Sequence, residues 1–196
     1  VFQSEREPGN PFYQIYVLDF MTGETTRVSP GHGKTTCAFI RPGSDQVLFA
    51  STHHDPRSEQ YQREELEFRA SGRERRYSWD YDPEFDIYAA SEGSGTLTRL
   101  TNARGYDAEA SYSPDGAWIA FSAEYTGTRQ VYVMPAWGGA KKALGNNPIV
   151  FAAPGAGQET EIFAVASDVD AVVAGVDAHL DIRRRIGEQL LRTLPE

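Results

Sequence analysis

Short runs of alternating polar and apolar residues, separated by clusters of turn-forming residues, recur along the chain as far as Phe151. The clearest example begins with Asp86-Ile87-Tyr88-Ala89-Ala90, a run rich in β-type residues, and breaks at Glu92-Gly93-Ser94-Gly95. Thr96-Leu97-Thr98-Arg99-Leu100-Thr101 then alternates as a half-buried strand does. Ala110-Ser111-Tyr112 leads into Ser113-Pro114-Asp115-Gly116. There Pro presets φ, Asp bonds the local backbone and Gly takes the left-handed position, so a tight hairpin is expected. Trp118-Ile119-Ala120-Phe121-Ser122 is the returning strand.

This pattern repeats. Shifting the chain by 72 positions lays residues 15–51 on 87–123 without a gap, matching Ile15/Ile87, Tyr16/Tyr88, Gly23/Gly95, Thr26/Thr98, Arg27/Arg99, Gly33/Gly105, Ala38/Ala110, Pro42/Pro114 and Phe49/Phe121. A shift of 44 lays Ile87, Tyr88, Gly95 and Leu100 on Val131, Tyr132, Gly139 and Leu144. A 44-residue period is that of a four-stranded β-propeller blade. The 28 extra positions in the first shift, 72 less 44, are an insertion at about 55–82.

Fragments of the pattern occupy the ends. Val1-Phe2-Gln3-Ser4 resembles Leu48-Phe49-Ala50-Ser51, and the Ile149–Ala152 and Glu161–Ala164 runs mimic a unit that lacks a hairpin. The expected organisation is a repeat region over 1–166, with full units near 15–53 and 87–124, partial units at 1–4 and 131–166, and the insertion. In the insertion, Asp55-Pro56 reads as an N-cap and first helical position, and Ser58 to Ala70 as a polar helix. From 167 to 196 the spacing of Val169, Val172, Val173, Val176, Leu180, Ile186, Leu190 and Leu194 is helical, with Asp168 and Asp170 early and Arg183–Arg185 late as the helix dipole favours. That segment is expected to cover a sheet edge or to dock another subunit.

Asp86-Ile87-Tyr88, Leu97-Thr98-Arg99-Leu100-Thr101, Gly105-Tyr106-Asp107 and Ser113-Pro114-Asp115-Gly116 with Ile119-Ala120-Phe121-Ser122 together resemble the TolB-like (WD40-like) β-propeller repeat family. The resemblance covers residues 1–151. It implies an all-β fold of radially arranged blades, periplasmic or secreted localisation in bacteria, and a binding or scaffolding role toward a protein partner. The first unit departs from the family pattern, with Arg41-Pro42-Gly43-Ser44-Asp45 in place of the Pro-Asp-Gly turn. The length of 196 residues is short for a six-bladed ring. A partial or abbreviated propeller with a helical insertion and a C-terminal helix is therefore expected, and its open blade edges predict self-association.

A net charge of -9 argues against a phosphate-binding surface, so no nucleic-acid partner is expected. No run is long and apolar enough for a membrane span. The first residue is Val1, with no leader-like segment, so the chain reads as a mature product or a piece of a longer one. Cys37 is the single cysteine, which rules out an intrachain disulfide and a cysteine-based zinc cluster.

Little catalytic chemistry is legible. Gly31-His32-Gly33-Lys34-Thr35 lacks the first glycine of a phosphate loop, because Val28 stands there. No Gly-x-Ser-x-Gly elbow is present. The stronger candidates are binding residues. His53, His54 and Asp55 end a strand and His32 lies in the loop before Cys37, so three imidazoles can converge on one blade end as metal ligands or as partners of loop carbonyls. Trp79-Asp80-Tyr81-Asp82-Pro83-Glu84-Phe85-Asp86 alternates aromatic and acidic residues, reading as a cation site without EF-hand spacing, a strand entry, or a lip for a protein. His32, His53, His54, Trp79, Asp82, Glu84, Tyr106 and Asp107 are the expected binding residues. No cofactor, metal or catalytic residue is assigned. The competing reading is a propeller-based enzyme, a metal-dependent lyase or part of a hydrolase, built on the same loops.

Overall fold

The computed structural model describes residues 1–76, 81–93 and 95–145. Trp79, Ser94, the unit fragments beyond residue 145 and the helix expected over 167–196 lie outside the described residues. The chain is mostly β, in three antiparallel sheets. The first holds β1 (Phe2–Ser4), β2 (Gln14–Leu18) and β3 (Thr25–Arg27) in that order. The second holds β4 (Thr35–Ile40), β5 (Gln46–Ser51), β6 (Asp86–Ser91) and β7 (Leu97–Arg99). The third holds β8 (Ala108–Tyr112), β9 (Trp118–Ala123), β10 (Gln130–Pro135) and β11 (Lys142–Gly145). Each sheet is a meander of neighbouring strands, as expected when tight turns join them.

Sequence unit and sheet are out of phase. The unit 87–124 reads as one four-stranded blade, yet β6 and β7 pair with β4 and β5, while β8 and β9 pair with β10 and β11. The unit near 15–53 is divided in the same way, between the first and second sheets. The cause lies in residues 100–107, which do not reverse beside β7 but run along the sheet ends to the next sheet. Leu100 is buried between the second and third sheets, and the Asp107 N–H donates to the Phe85 carbonyl at 2.9 Å. The insertion accordingly falls inside the second sheet, between β5 and β6.

The repeat holds at the level of single hydrogen bonds. Tyr16 faces Arg27, and Tyr88 faces Arg99. In the first sheet the Ser29 hydroxyl accepts the Ile15 N–H at 2.9 Å and donates to Gln14 at 2.7 Å. In the second, the Thr101 hydroxyl accepts the Ile87 N–H at 2.8 Å and donates to Asp86 at 3.0 Å. A cross-strand Phe–Tyr pair occurs in every sheet, as Phe2–Tyr16, Phe49–Tyr88 and Phe121–Tyr132. Their ring centroids lie 5.7, 6.2 and 5.9 Å apart. Such pairs stabilise a sheet by about 0.2–1 kcal/mol each.

The sheets pack face to face in chain order. Along β5 and β6, Val47, Phe49, Tyr88 and Ala90 face the first sheet, with Ile15 across from them. Leu48, Ile87 and Ala89 face the third sheet, against Tyr112, Ile119, Phe121 and Met134. Both faces of the middle sheet are covered, which explains why its strands read as nearly continuous apolar runs. Burying each such side chain contributes roughly 1.5–3 kcal/mol. The two turns Arg41–Asp45 and Ser113–Ala117 also touch, through an Arg41 Nε–H donated to the Gly116 carbonyl at 3.0 Å.

Helix α1 (Ser58–Ala70) fills the insertion. Its N-cap is Arg57 and not Asp55, and no side chain caps it. Asp55 instead turns the chain before the helix, its Oδ1 accepting the Arg57 N–H at 3.0 Å and its carbonyl the Ser58 N–H at 2.9 Å. The polar helix is held at both ends. Gln62 accepts the Gly33 N–H at 2.9 Å, and Arg69 pairs with Glu5 at 2.8 Å.

Candidate functional site

The start of β4, the end of β5 and the start of β6 meet at one end of the second sheet, where α1 leaves and returns. His53 and His54 follow β5, and His32 precedes β4. The structure brings these three together: His32 and His53 ring centroids are 5.8 Å apart, and those of His53 and His54 6.1 Å. The His32 Nε2–H donates to the His53 carbonyl at 3.1 Å, and His53 Nδ1 shares a hydrogen bond with the Ser51 hydroxyl at 2.9 Å. Gly33 makes this approach feasible. Its φ is +69°, and a Cβ there would lie 2.8 Å from the His53 backbone.

His54 belongs to a continuous relay. Its Nε2 is 3.1 Å from Asp86, and its Nδ1 is 2.9 Å from the Tyr88 hydroxyl. Burial, reinforced by Arg99, holds the His54 pKa below the usual histidine range despite Asp86 nearby. Burial raises Tyr88 to about 12, so its hydroxyl keeps its proton. Neutral imidazole with Nε2–H donating to Asp86 and Nδ1 accepting from Tyr88 satisfies every member. Asp86 is 2 % exposed, and burial pushes its pKa up against the pull of Arg99 and Thr101. It accepts from Arg99 Nε at 3.0 Å and Thr101 at 3.0 Å, with Arg99 Nη2 also in contact. His53, half-buried and beside His32 and His54, is lowered to about 4.

Next to this relay stands an aromatic and ionic cluster. Lys34 pairs with buried Asp82 at 3.1 Å and lies over the Phe12 ring. Tyr81 stacks on Tyr106 at 5.5 Å and donates its hydroxyl to Glu124 at 2.7 Å. The Arg129 guanidinium covers Tyr106 at 4.5 Å. Asp107 lies deeper, fully buried, accepting from the Tyr125 hydroxyl at 2.5 Å, and burial raises its pKa to about 7.

Between α1 and the strands β1 and β4 lies a cavity of about 1080 Å³. Its lining includes Glu5, Thr36, Cys37, Tyr61, Arg69, Arg76 and, from the acidic stretch, Tyr81 and Asp82. Cys37 has φ +54° at a register shift in β4, and Glu109 has φ +57° at the matching shift in β8. These two non-glycine left-handed residues occupy equivalent positions in the repeat. Burial raises the Cys37 thiol above its ordinary value, which argues against a thiolate nucleophile.

Of the expected binding residues, His32, His53 and His54 cluster, Glu84 approaches His54 at 4.0 Å, Asp82 pairs with Lys34, and Tyr106 stacks on Tyr81. Asp107 is withdrawn from the surface, and Trp79 lies outside the described residues. Among the described residues, no group of three or more His, Cys, Asp or Glu is arranged to hold a metal ion. Sequence reasoning missed Tyr88 and Arg99 because their identity with Tyr16 and Arg27 marks them as repeat positions. The arginines of the cavity gave no signal beyond the polarity of a helix.

No family model matches the chain. An uncharacterized protein of Agrobacterium fabrum is 45% identical over 51 residues, which are 26% of this chain and 17% of that protein. The structure assigned as TolB from Agrobacterium tumefaciens aligns with 20% identity and a TM-score of 0.52, covering 74% of this chain and 41% of that one. TolB from Acinetobacter baumannii aligns with 19% identity and a TM-score of 0.46, covering 81% and 36%. The chain therefore has a TolB-like fold, and it spans less than half the length of these relatives.

Proposed function

We propose that the chain is part of a TolB-like β-propeller that serves as a non-catalytic protein-binding module of the bacterial cell envelope. The three sheets are its blades, and the partner binds at the end from which α1 projects. One observation carries this reading: α1 is tied down across the first two sheets through Gln62 and Arg69, and it roofs a cavity lined by tyrosines and arginines. Tyr and Arg are the residues that dominate protein interfaces, because they combine large contact area with directional hydrogen bonds. The exposed His32 and the partly exposed His53 and Glu84 border the same face.

A photo-reactive benzoylphenylalanine placed at Tyr61 tests the proposal. Irradiated cells are expected to yield a discrete adduct with an envelope protein, absent when the probe replaces Phe20 on the far β2–β3 hairpin. His53→Ala leaves the adduct in place. Equal labelling from both positions, or none from Tyr61, overturns the proposal.

The enzyme reading keeps one specific support, the Asp86–His54–Tyr88 relay, which has the order carboxylate, imidazole, hydroxyl found where a base is oriented by an acid. Tyr88 is 3 % exposed, and its raised pKa opposes use as a nucleophile. Turnover of oligosaccharide or peptide substrates that disappears in His54→Ala would favour it over the binding module.

A further inference from the structure

We infer that α1 is a gate held by two polar latches, and, resting on the preceding reading of where the partner binds, that releasing both latches admits it to the cavity. The fold does not need this helix. The β9–β10 connection stands at the same place in the third sheet and closes within residues 124–129, where the second sheet uses 52–85. Nor does the helix pack on the sheets. Ser58 is its one buried residue, and none of its apolar side chains joins the core clusters of the described residues. Its rings are met by arginines of its own flanks instead. Arg57 lies over Tyr61 at 5.2 Å, and Arg73 and Arg75 lie over Phe68 at 5.1 and 4.0 Å. Glu65 pairs with Arg69 and Arg75 of the same segment, at 2.9 Å each. The helix and its flanks thus satisfy one another, and the cavity separates them from the strands.

What ties the helix to the body is polar and lies at two points. Near its start Gln62 accepts the Gly33 N–H at 2.9 Å and reaches the Gly9 carbonyl at 3.5 Å. Near its end Arg69 meets Glu5 at 2.8 Å. About 10 Å of helix separates the two latches, so a rigid rod swings freely only when both have let go. Apolar burial, which anchors most helices in proteins, is absent from this one. The Arg69–Glu5 pair stands in solvent, with side chains 46% and 39% exposed, so salt screens it. Gly33 is buried, which makes the Gln62 latch the less salt-sensitive of the two. Past the helix the chain can turn, since Gly72 has φ +67° with open space around it. A gate of this build opens as a local event, because no core side chain has to move with it.

Two residues of the whole chain report the gate without any partner. The Gly33 N–H is held by one latch, so its hydrogen exchange reads opening there. Cys37, the single cysteine, lines the cavity, so its rate of reaction with 4,4′-dithiodipyridine reads access. Glu5→Gln weakens the other latch, and Glu5 is bonded to Arg69 and to neither reporter. The substitution is expected to speed exchange at Gly33 and labelling at Cys37 by roughly two- to fivefold, with the Leu48 and Phe121 amides unchanged. Gln62→Ala should speed labelling roughly fivefold. Raising salt from about 0.05 M to about 0.5 M should speed labelling of the unsubstituted chain and of Gln62→Ala, and not of Glu5→Gln. Gly33 exchange that ignores Glu5→Gln, labelling that ignores both substitutions, or one salt response shared by all three chains overturns the inference. Acceleration that extends to Leu48 and Phe121 does the same, since the sheets and not a gate would then be loosening. Labelling as expected with no adduct from Tyr61 refutes the partner reading alone, and an adduct with labelling indifferent to latches and salt refutes the gate alone.

Discussion

The tyrosines at positions 16, 88 and 132 offer an internal experiment, because the repeat puts the same residue at the same register in three sheets while each hydroxyl meets different chemistry. The Tyr16 hydroxyl donates to Glu7 at 3.2 Å near the surface. The Tyr88 hydroxyl donates to the partly buried His54 at 2.9 Å and closes the relay to Asp86. The Tyr132 hydroxyl is buried and has no partner among the described residues. Replacing each with Phe removes one oxygen and leaves the ring and its Phe neighbour in place. Tyr88→Phe leaves the acceptor nitrogen of a largely buried imidazole without its partner, which costs about 1–2 kcal/mol. Tyr16→Phe removes a partly exposed bond to a side chain water can reach, for about 0.5 kcal/mol. Tyr132→Phe deletes a desolvated group without an interaction, so stability stays level or rises by up to about 1 kcal/mol. With a urea slope of about 2 kcal/mol/M, Tyr88→Phe moves the midpoint down by roughly 0.7 M and Tyr132→Phe does not lower it. A double-mutant cycle of Tyr88→Phe with His54→Ala should return a coupling of about 1 kcal/mol. A Tyr132→Phe midpoint that falls as far as that of Tyr88→Phe would refute the reasoning, since ring packing and not the hydroxyl would then control both.

Two further tests follow from the same region. Asp107, raised to about 7 from the ordinary carboxylate value, binds its proton more tightly folded than unfolded, so its contribution is lost as pH rises from about 4 through 7. His53, lowered to about 4, acts in the opposite sense, its contribution being lost as pH falls from about 6.5 toward 4. Stability measured across pH 4–8 should lose its fall toward alkaline pH in Asp107→Asn and its acid-side fall in His53→Gln. Unchanged profiles in both variants would show that neither group is perturbed by folding. Gly33→Ala puts a Cβ 2.8 Å from the His53 backbone at φ +69°, for a loss of roughly 2 kcal/mol or more. Gly9→Ala, at φ +78° in open space, is limited to the conformational cost of about 1–2 kcal/mol, and equal thermal shifts for the pair would contradict the clash.

The repeat, and with it the strands, is legible in the residues alone. Side chains that alternate across a pleat, glycines at left-handed turn positions and a Pro-Asp-Gly hairpin are local requirements, written in the residues that meet them. The likeness of Val1–Ser4 to Leu48–Ser51 reads as the last strand of a unit, whereas by register Phe2 stands opposite Tyr16 as Phe49 of β5, the second strand of its sheet, stands opposite Tyr88. Polarity over Ser58–Ala70 was enough to place a helix, although not its start, because Asp55 bonds the backbone as well in a turn as at an N-cap. Tertiary structure decided the rest. Whether residues 100–107 turn back beside β7 or cross to the next sheet depends on burying Leu100 between two sheets, a contact no local pattern contains. Convergence of the histidines was legible because strand ends gather by topology, whereas the relay through Asp86 and Tyr88 was not. Its members are distant in sequence and also serve as repeat positions, so only their proximity in space distinguishes chemistry from scaffold.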